Sequence, residues 1–141
     1  MAMSDRFLEE QLGAVDPFGR VSKRGLRTLA SAAKTVEHDE GHQVLGEGGT
    51  PLVFHLVLEG EAEVEVGGAS RRLLKAGESF GLVSLIDGKP RSATVRAATR
   101  MRTAFLAPSV FKQALDSEPT IARDLLPLLC QYLREAEQRA D

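Results

Sequence analysis

The sequence predicts a mainly β domain, a sandwich or barrel of about eight short strands, with helices at both ends. Three observations carry that reading. Between Lys34 and Ala107, short runs of strand-forming residues are separated by glycine turns such as Gly46-Glu47-Gly48-Gly49, Gly60 and Gly67-Gly68. Glu61-Ala62-Glu63-Val64-Glu65-Val66 alternates acidic and apolar residues, which is the period of a strand with one face buried. On either side of this region the apolar residues recur at three and four, as on an amphipathic helix.

Residues 1–20 read as an N-terminal extension and 21–141 as the domain with its C-terminal helices. In the extension, Phe7 to Leu12 fits a short turn of helix, and Asp16-Pro17-Phe18-Gly19 is a turn signal. Ser22 is placed to cap a helix running to about Ala33, with Leu26, Leu29, Ala30 and Ala33 on one face. Strands are expected at 34–38, 43–45, 53–59, 61–66, 71–75, 92–97 and 101–107, with Ala76-Gly77-Glu78 as a further turn. Pro108 opens a short helix with Val110, Phe111, Ala114 and Leu115 on one side. Pro119 suits the first position of a second helix reaching about Arg139, whose apolar stripe comprises Ile121, Leu125, Leu128, Leu129, Tyr132, Leu133 and Ala136. Pro127 falls inside that helix and should bend it or remove one hydrogen bond, at about 3 kcal/mol if nothing compensates.

Composition narrows the function classes. The 141 residues suffice for one well-cored domain, and a net charge of −2 lacks the basic excess of a nucleic-acid binder. The single cysteine, Cys130, precludes an internal disulfide, suits a reducing cytoplasm, and is expected to be packed within its apolar helix. No signal-like start and no membrane-length apolar run are present, so a cytoplasmic protein without a membrane partner is expected. No nucleophile with a base and no paired carboxylates stand in a recognisable frame, so the expectation is that the chain is not an enzyme. The histidines do not make a metal set: His38 and His42 flank a glycine turn, His55 lies in a strand, and no carboxylate is spaced to complete a site. They read as surface or loop residues. Glu61, Glu63 and Glu65 read as a solvated face, with Arg71-Arg72 as the facing basic edge of the same hairpin.

One stretch carries chemistry. In Phe80 to Ala97, Gly81 opens a short apolar turn of helix, and a Gly88-Lys89-Pro90 loop delivers Arg91 and Ser92 onto the start of a strand. Free N–H groups at a helix start attract negative charge, and Arg91 and Ser92 add charge-assisted hydrogen bonds from the facing wall. This is an anion cradle. The cassette, Phe80-Gly81 followed by Pro90-Arg91-Ser92-Ala93-Thr94-Val95, resembles that of the cyclic nucleotide-binding domain family, the sensor module of catabolite-activator-type regulators and cyclic-nucleotide-dependent kinases. Gly41, Gly46 to Gly49, Leu58-Glu59-Gly60-Glu61 and Ala76-Gly77-Glu78 sit where that family places its turns, and the likeness runs from about Phe18 to about Leu133.

The resemblance implies an eight-stranded β-roll (a jelly roll or double-stranded β-helix) with one N-terminal and two C-terminal helices. It also implies roles. Arg91 would pair with the oxygens of a cyclic phosphate, and Ser92 would hydrogen-bond to the same group, with Pro90 and Ala93 beside them. Gly81 would let the backbone approach the ribose, Val83, Ser84 and Leu85 would supply N–H groups and packing, and the last helix would close over the base with Gln131 or Arg134. The departure is Leu82, where the family usually carries a glutamate that accepts the ribose hydroxyl. Losing that acceptor is worth about 1–3 kcal/mol.

The reading is therefore a stand-alone regulatory module that binds a cyclic nucleotide such as cAMP, or a related phosphate ligand, and has no other cofactor. With no helix-turn-helix after Asp141, a complete transcription factor is not expected. The seam Ile121, Leu125, Leu128, Tyr132 either covers the barrel or joins a protein partner or second copy. The alternative is a degenerate fold in which Leu82 plugs the pocket and the domain serves as an interaction or dimerisation module.

Overall fold

Two four-stranded antiparallel sheets face each other in the computed structural model, which describes residues 5–14, 18–45, 54–87, 89 and 93–140. The chain runs α1 (Asp5–Gly13), α2 (Lys23–Ala32), β1 (Lys34–His38), β2 (Gln43–Leu45), β3 (Phe54–Glu59), β4 (Glu61–Val66), β5 (Ala69–Lys75), β6 (Ser79–Phe80), α3 (Leu82–Asp87), β7 (Thr94–Ala97), β8 (Met101–Leu106), α4 (Pro108–Ser117) and α5 (Thr120–Ala140). One sheet has the order β1-β8-β3-β6 and the other β2-β7-β4-β5.

Strand alternation divides the first sheet between two environments. Phe54 and Leu56 of β3, with Ala104 and Leu106 of β8, pack against residues of all five helices in the larger apolar cluster. The opposite residues, Val57 and Met101, join Ala62, Leu74, Val95 and Ala97 in a second cluster between the sheets. The larger cluster includes Leu8, Leu12 and Phe18 from the segment set apart as an extension. There α1 is a nine-residue helix rather than a single turn.

Local chemistry explains the boundaries. Ser22 has an extended backbone, and its Oγ accepts the Gly25 N–H at 3.1 Å, capping α2 as the sequence suggests. The Ser22 N–H in turn donates to Asp124 Oδ2 at 3.1 Å, tying the start of α2 to α5. Ser22→Ala removes the cap oxygen while keeping the backbone bond. It is expected to lower the urea unfolding free energy by about 1 kcal/mol, and an unchanged midpoint would contradict this role.

Several expectations are corrected. β6 has only two residues, too few for any periodicity to show. The helix expected to enclose Pro127 does so, α5 continuing through this exposed residue. The partner of Glu65 is Arg96 of β7, at 3.2 Å, not the exposed Arg71-Arg72 pair, because β4 lies between β5 and β7. Cys130 is exposed: it lies two residues past the buried Leu128, about 200° around the helix. His38 and His55 are buried between strands, with only His42 of the three in an exposed turn. Of the proposed seam, Ile121, Leu125 and Leu128 are buried in the chain's own core, so the large apolar side chains α5 leaves exposed are Leu126 and Leu133, with Tyr132 partly so.

Candidate functional site

The cassette begins where β6 ends. Gly81 has φ +99°, a left-handed conformation that disfavours other residues, and its carbonyl accepts the Leu85 N–H at 2.9 Å to start α3. Phe80, Gly81, Leu82 and Val83 thereby form one wall of a cavity of about 560 Å³. Ala93 and Val95, leading into β7, and Val64 and Leu74 of the β4–β5 hairpin supply a largely apolar floor. Ser79, Arg72 of β5, and Tyr132 and Arg139 of α5 are the other lining residues among those described.

Among the proposed ligand contacts, Gly81, Leu82, Val83 and Ala93 therefore come together around one space. Leu85 does not border it, being only 1% exposed within the helix-facing cluster. Pro90, Arg91 and Ser92, and the side chain of Ser84, lie outside the described residues. Asp87 of α3 has its Oδ1 engaged by the Lys89 N–H at 2.9 Å. Leu82 has a double position: it borders the cavity, yet at 6% exposure it is also packed into the cluster between sheet and helices.

Helical phase decides what α5 contributes. Tyr132 and Arg139 are seven residues apart, close to two full turns, and both reach the cavity. Gln131 and Arg134, named from sequence as base contacts, instead line a shallow groove beside Arg20 and Cys130, where Gln131 donates to Glu135 at 3.1 Å. Arg72 was missed because it read as hairpin edge. Its signal was the alternation that places it on the same face of β5 as the buried Leu74.

The lining is electrostatically one-sided. It contains two guanidinium groups and, among the described residues, no carboxylate. Guanidinium groups only donate hydrogen bonds, so they suit a ligand rich in acceptors or carrying negative charge. Among the described residues, no group of three or more His, Cys, Asp or Glu is placed to hold a metal ion. No described helix is long and apolar enough to cross a membrane.

Known proteins resemble this chain in sequence and in fold. Residues 35–118 match the family described as "Cyclic nucleotide-binding domain". A cAMP-dependent protein kinase regulatory subunit from Emericella nidulans is 34% identical over 125 residues, covering 86% of this chain and 29% of that protein. The chain thus spans less than a third of the length of the curated relatives it matches. Among solved structures, a cyclic nucleotide-binding domain from Methylobacillus flagellatus KT superposes with a TM-score of 0.75 at 27% identity, covering 99% of this chain and 85% of that one. The regulatory domain of Toxoplasma gondii cAMP-dependent kinase, solved with cAMP, shares the fold with a TM-score of 0.76 at 24% identity, covering 93% and 50% of the two chains.

Proposed function

Because the chain belongs to the cyclic nucleotide-binding domain family, we propose that it is a regulatory ligand-sensing module whose cavity takes a cyclic nucleotide, such as cAMP, or a related phosphate ligand. One observation carries the reading: the cavity is bordered on one side by the start of the cassette and on another by α5. A ligand held there touches both a site of recognition and an element able to report it. Arg72 and Arg139 would meet its acceptor edges, and Arg91 and Ser92 are proposed for its phosphate.

Signalling in this proposal is a population shift. The first half of α5 is anchored by Ile121, Leu125 and Leu128, while its outer half bears Tyr132 and Arg139 on the cavity. A ligand contacting the outer half favours its closed position by the difference in affinity between the two positions. The exposed Leu126 and Leu133 on that helix support a protein partner or second copy as the recipient. The module is not proposed to catalyse a reaction, and a cytoplasmic location belongs to the same reading, supported by the lone free cysteine.

The test is calorimetric titration with cAMP and with cyclic GMP, alongside thermal unfolding. Binding is expected, with about 2.7 kcal/mol of stabilisation at a hundred-fold excess over Kd. Absence of heat and of any thermal shift at millimolar concentrations of both would overturn the assignment to these nucleotides. The burial of Leu82 favours a second reading, in which the fold has lost its ligand and serves as an interaction module. Leu82→Gln separates the two, since it restores an acceptor without introducing a charge. On the sensing reading it should tighten cAMP binding about ten-fold; on the other it should only destabilise.

A further inference from the structure

Phe80 borders the cavity and also stacks on His55, with ring centroids 5.0 Å apart and planes inclined by 13°. The strand carrying Phe80 is only two residues long and pairs with β3 through His55↔Phe80 and Leu56↔Ser79. This wall of the cavity therefore depends on what fixes His55. Its Nδ1 is 2.9 Å from Thr103 Oγ1, and His38 Nε2 is 3.2 Å from the same oxygen. Thr103 is fully buried, and His55 and His38 are 6% and 7% exposed.

Two imidazole nitrogens thus share one hydroxyl. With both rings neutral every group is satisfied, since the hydroxyl donates to one nitrogen and accepts from an N–H of the other. A further proton on the accepting ring turns its nitrogen into a donor. The threonine O–H then loses its acceptor, and a charge is left buried.

Among the described residues, no carboxylate acts on His55 to balance that charge, and the Phe80 ring face is a weak substitute for one. His55 meets Phe80 from β6, Thr103 and Phe105 from β8, and His38 from β1. His42, in the turn after β1, stacks on His38 with ring centroids 5.4 Å apart. Glu37, also of β1, is engaged by Arg100 and Arg102 at 2.8 Å each, and Glu78, just before β6, accepts the Lys75 N–H at 2.9 Å. Burial first, and then the proximity of His38, push His55 down to about 3; burial, followed by His42, also lowers His38.

We infer that His55 is the positioning residue of this wall: neutral, it holds Phe80 and β6 in place, and protonated, it releases them, so that occupancy of the cavity falls with acid. The consequence for occupancy rests on the ligand-sensing reading above; the motion of β6 does not. The direction follows from where the proton goes. Release of β6 opens His55 to water and lets its value rise toward the ordinary 6.5, whereas the held form takes a proton only near 3. Above 6.5 the two forms bind equal numbers of protons and the wall keeps its full stability. Below it the released form gains by up to about ten-fold per pH unit, until the held form also titrates.

The test compares the wild type with His55→Phe, which preserves ring stacking and leaves Thr103 to His38. Hydrogen exchange, corrected for its intrinsic pH dependence, would be followed from pH 7.5 to 5. In the wild type the opening constant at Ser79–Phe80 should rise about ten-fold for each pH unit below 6.5, while amides of β4 keep their protection. In His55→Phe it should stay flat. An equal rise in both proteins would overturn the inference. So would an NMR titration showing His55 in the wild type gaining its proton near 6.5 with β6 still closed, a readout that does not depend on the variant folding. Titration with cAMP over the same range forms a separate arm: failure to bind at any pH counts against the sensing reading and leaves the exchange result standing.

Discussion

Phe54→Ala is expected to remove about 3–5 kcal/mol of folding stability. Phe54 is 1% exposed, lies at the start of β3, and meets Phe18 edge-on with ring centroids 5.1 Å apart and planes at 62°. Around it the larger cluster gathers residues from all five helices, so the void left by the ring is walled by several elements and cannot collapse by moving one of them. A domain of this kind is stable by about 5–15 kcal/mol in total, and the variant should approach its unfolding threshold near body temperature. Urea denaturation followed by far-ultraviolet circular dichroism measures the change. Combining it with Phe18→Ala should reveal a coupling of about 0.5–1.5 kcal/mol for the aromatic pair. A loss below about 1 kcal/mol for Phe54→Ala would show that β3 and the helices do not share one core.

Phe18 also shows what the sequence discloses and what it conceals. Its place after a proline marks a turn, but its burial depends on Phe54, which is distant in sequence. The same distinction recurs throughout the chain. β4 was legible because its glutamates and its apolar residues take opposite faces of the strand, leaving alternation in the sequence even though the glutamates are half-buried, and Ser22 was legible because a cap is a local device. The burial of His55 was not, because it rests on Thr103, 48 positions later, and a histidine in a strand looks alike whether wet or dry.

The site divides along the same line. The cassette residues Gly81, Leu82, Val83 and Ala93, proposed from sequence as ligand contacts, border one cavity. Leu85 was proposed with them but turns its side chain to the helices, since an apolar cassette turn has two sides and the residue type does not say which is which. Arg72 and Arg139 belong to β5 and α5, and only the assembled roll brings them to the cassette. The phase of α5 is what exchanges Gln131 and Arg134 for Tyr132 and Arg139.

Gly60→Ala is expected to cost about 3 kcal/mol or more, because it disturbs the point where the chain leaves one sheet for the other. Gly60 sits between β3, in the helix-facing sheet, and β4, in the second. Its φ is +85°, where an L side chain is strained by about 1–2 kcal/mol. Space makes the strain worse. A Cβ there would press on the Arg100 carbonyl oxygen, lie 2.8 Å from Thr99 Oγ1, and lie 3.0 Å from Met101 Cα. Two of these contacts are backbone and cannot rotate aside. The threonine is committed as well, accepting the Glu61 N–H at 3.1 Å and donating to the Arg100 carbonyl at 2.9 Å. Relief therefore requires the turn before β8 to move away from β4, which strains the Ala98 N–H bond to the Glu61 carbonyl, now 2.9 Å. Gly67→Ala is the internal control: Gly67 also has positive φ, at +61°, but an added Cβ would have nothing within 4 Å. It should show the conformational strain alone. A Gly60 variant no less stable than the Gly67 variant in thermal unfolding would mean that the crossing between the sheets is loose, and that the two faces of the roll are free to shift against each other.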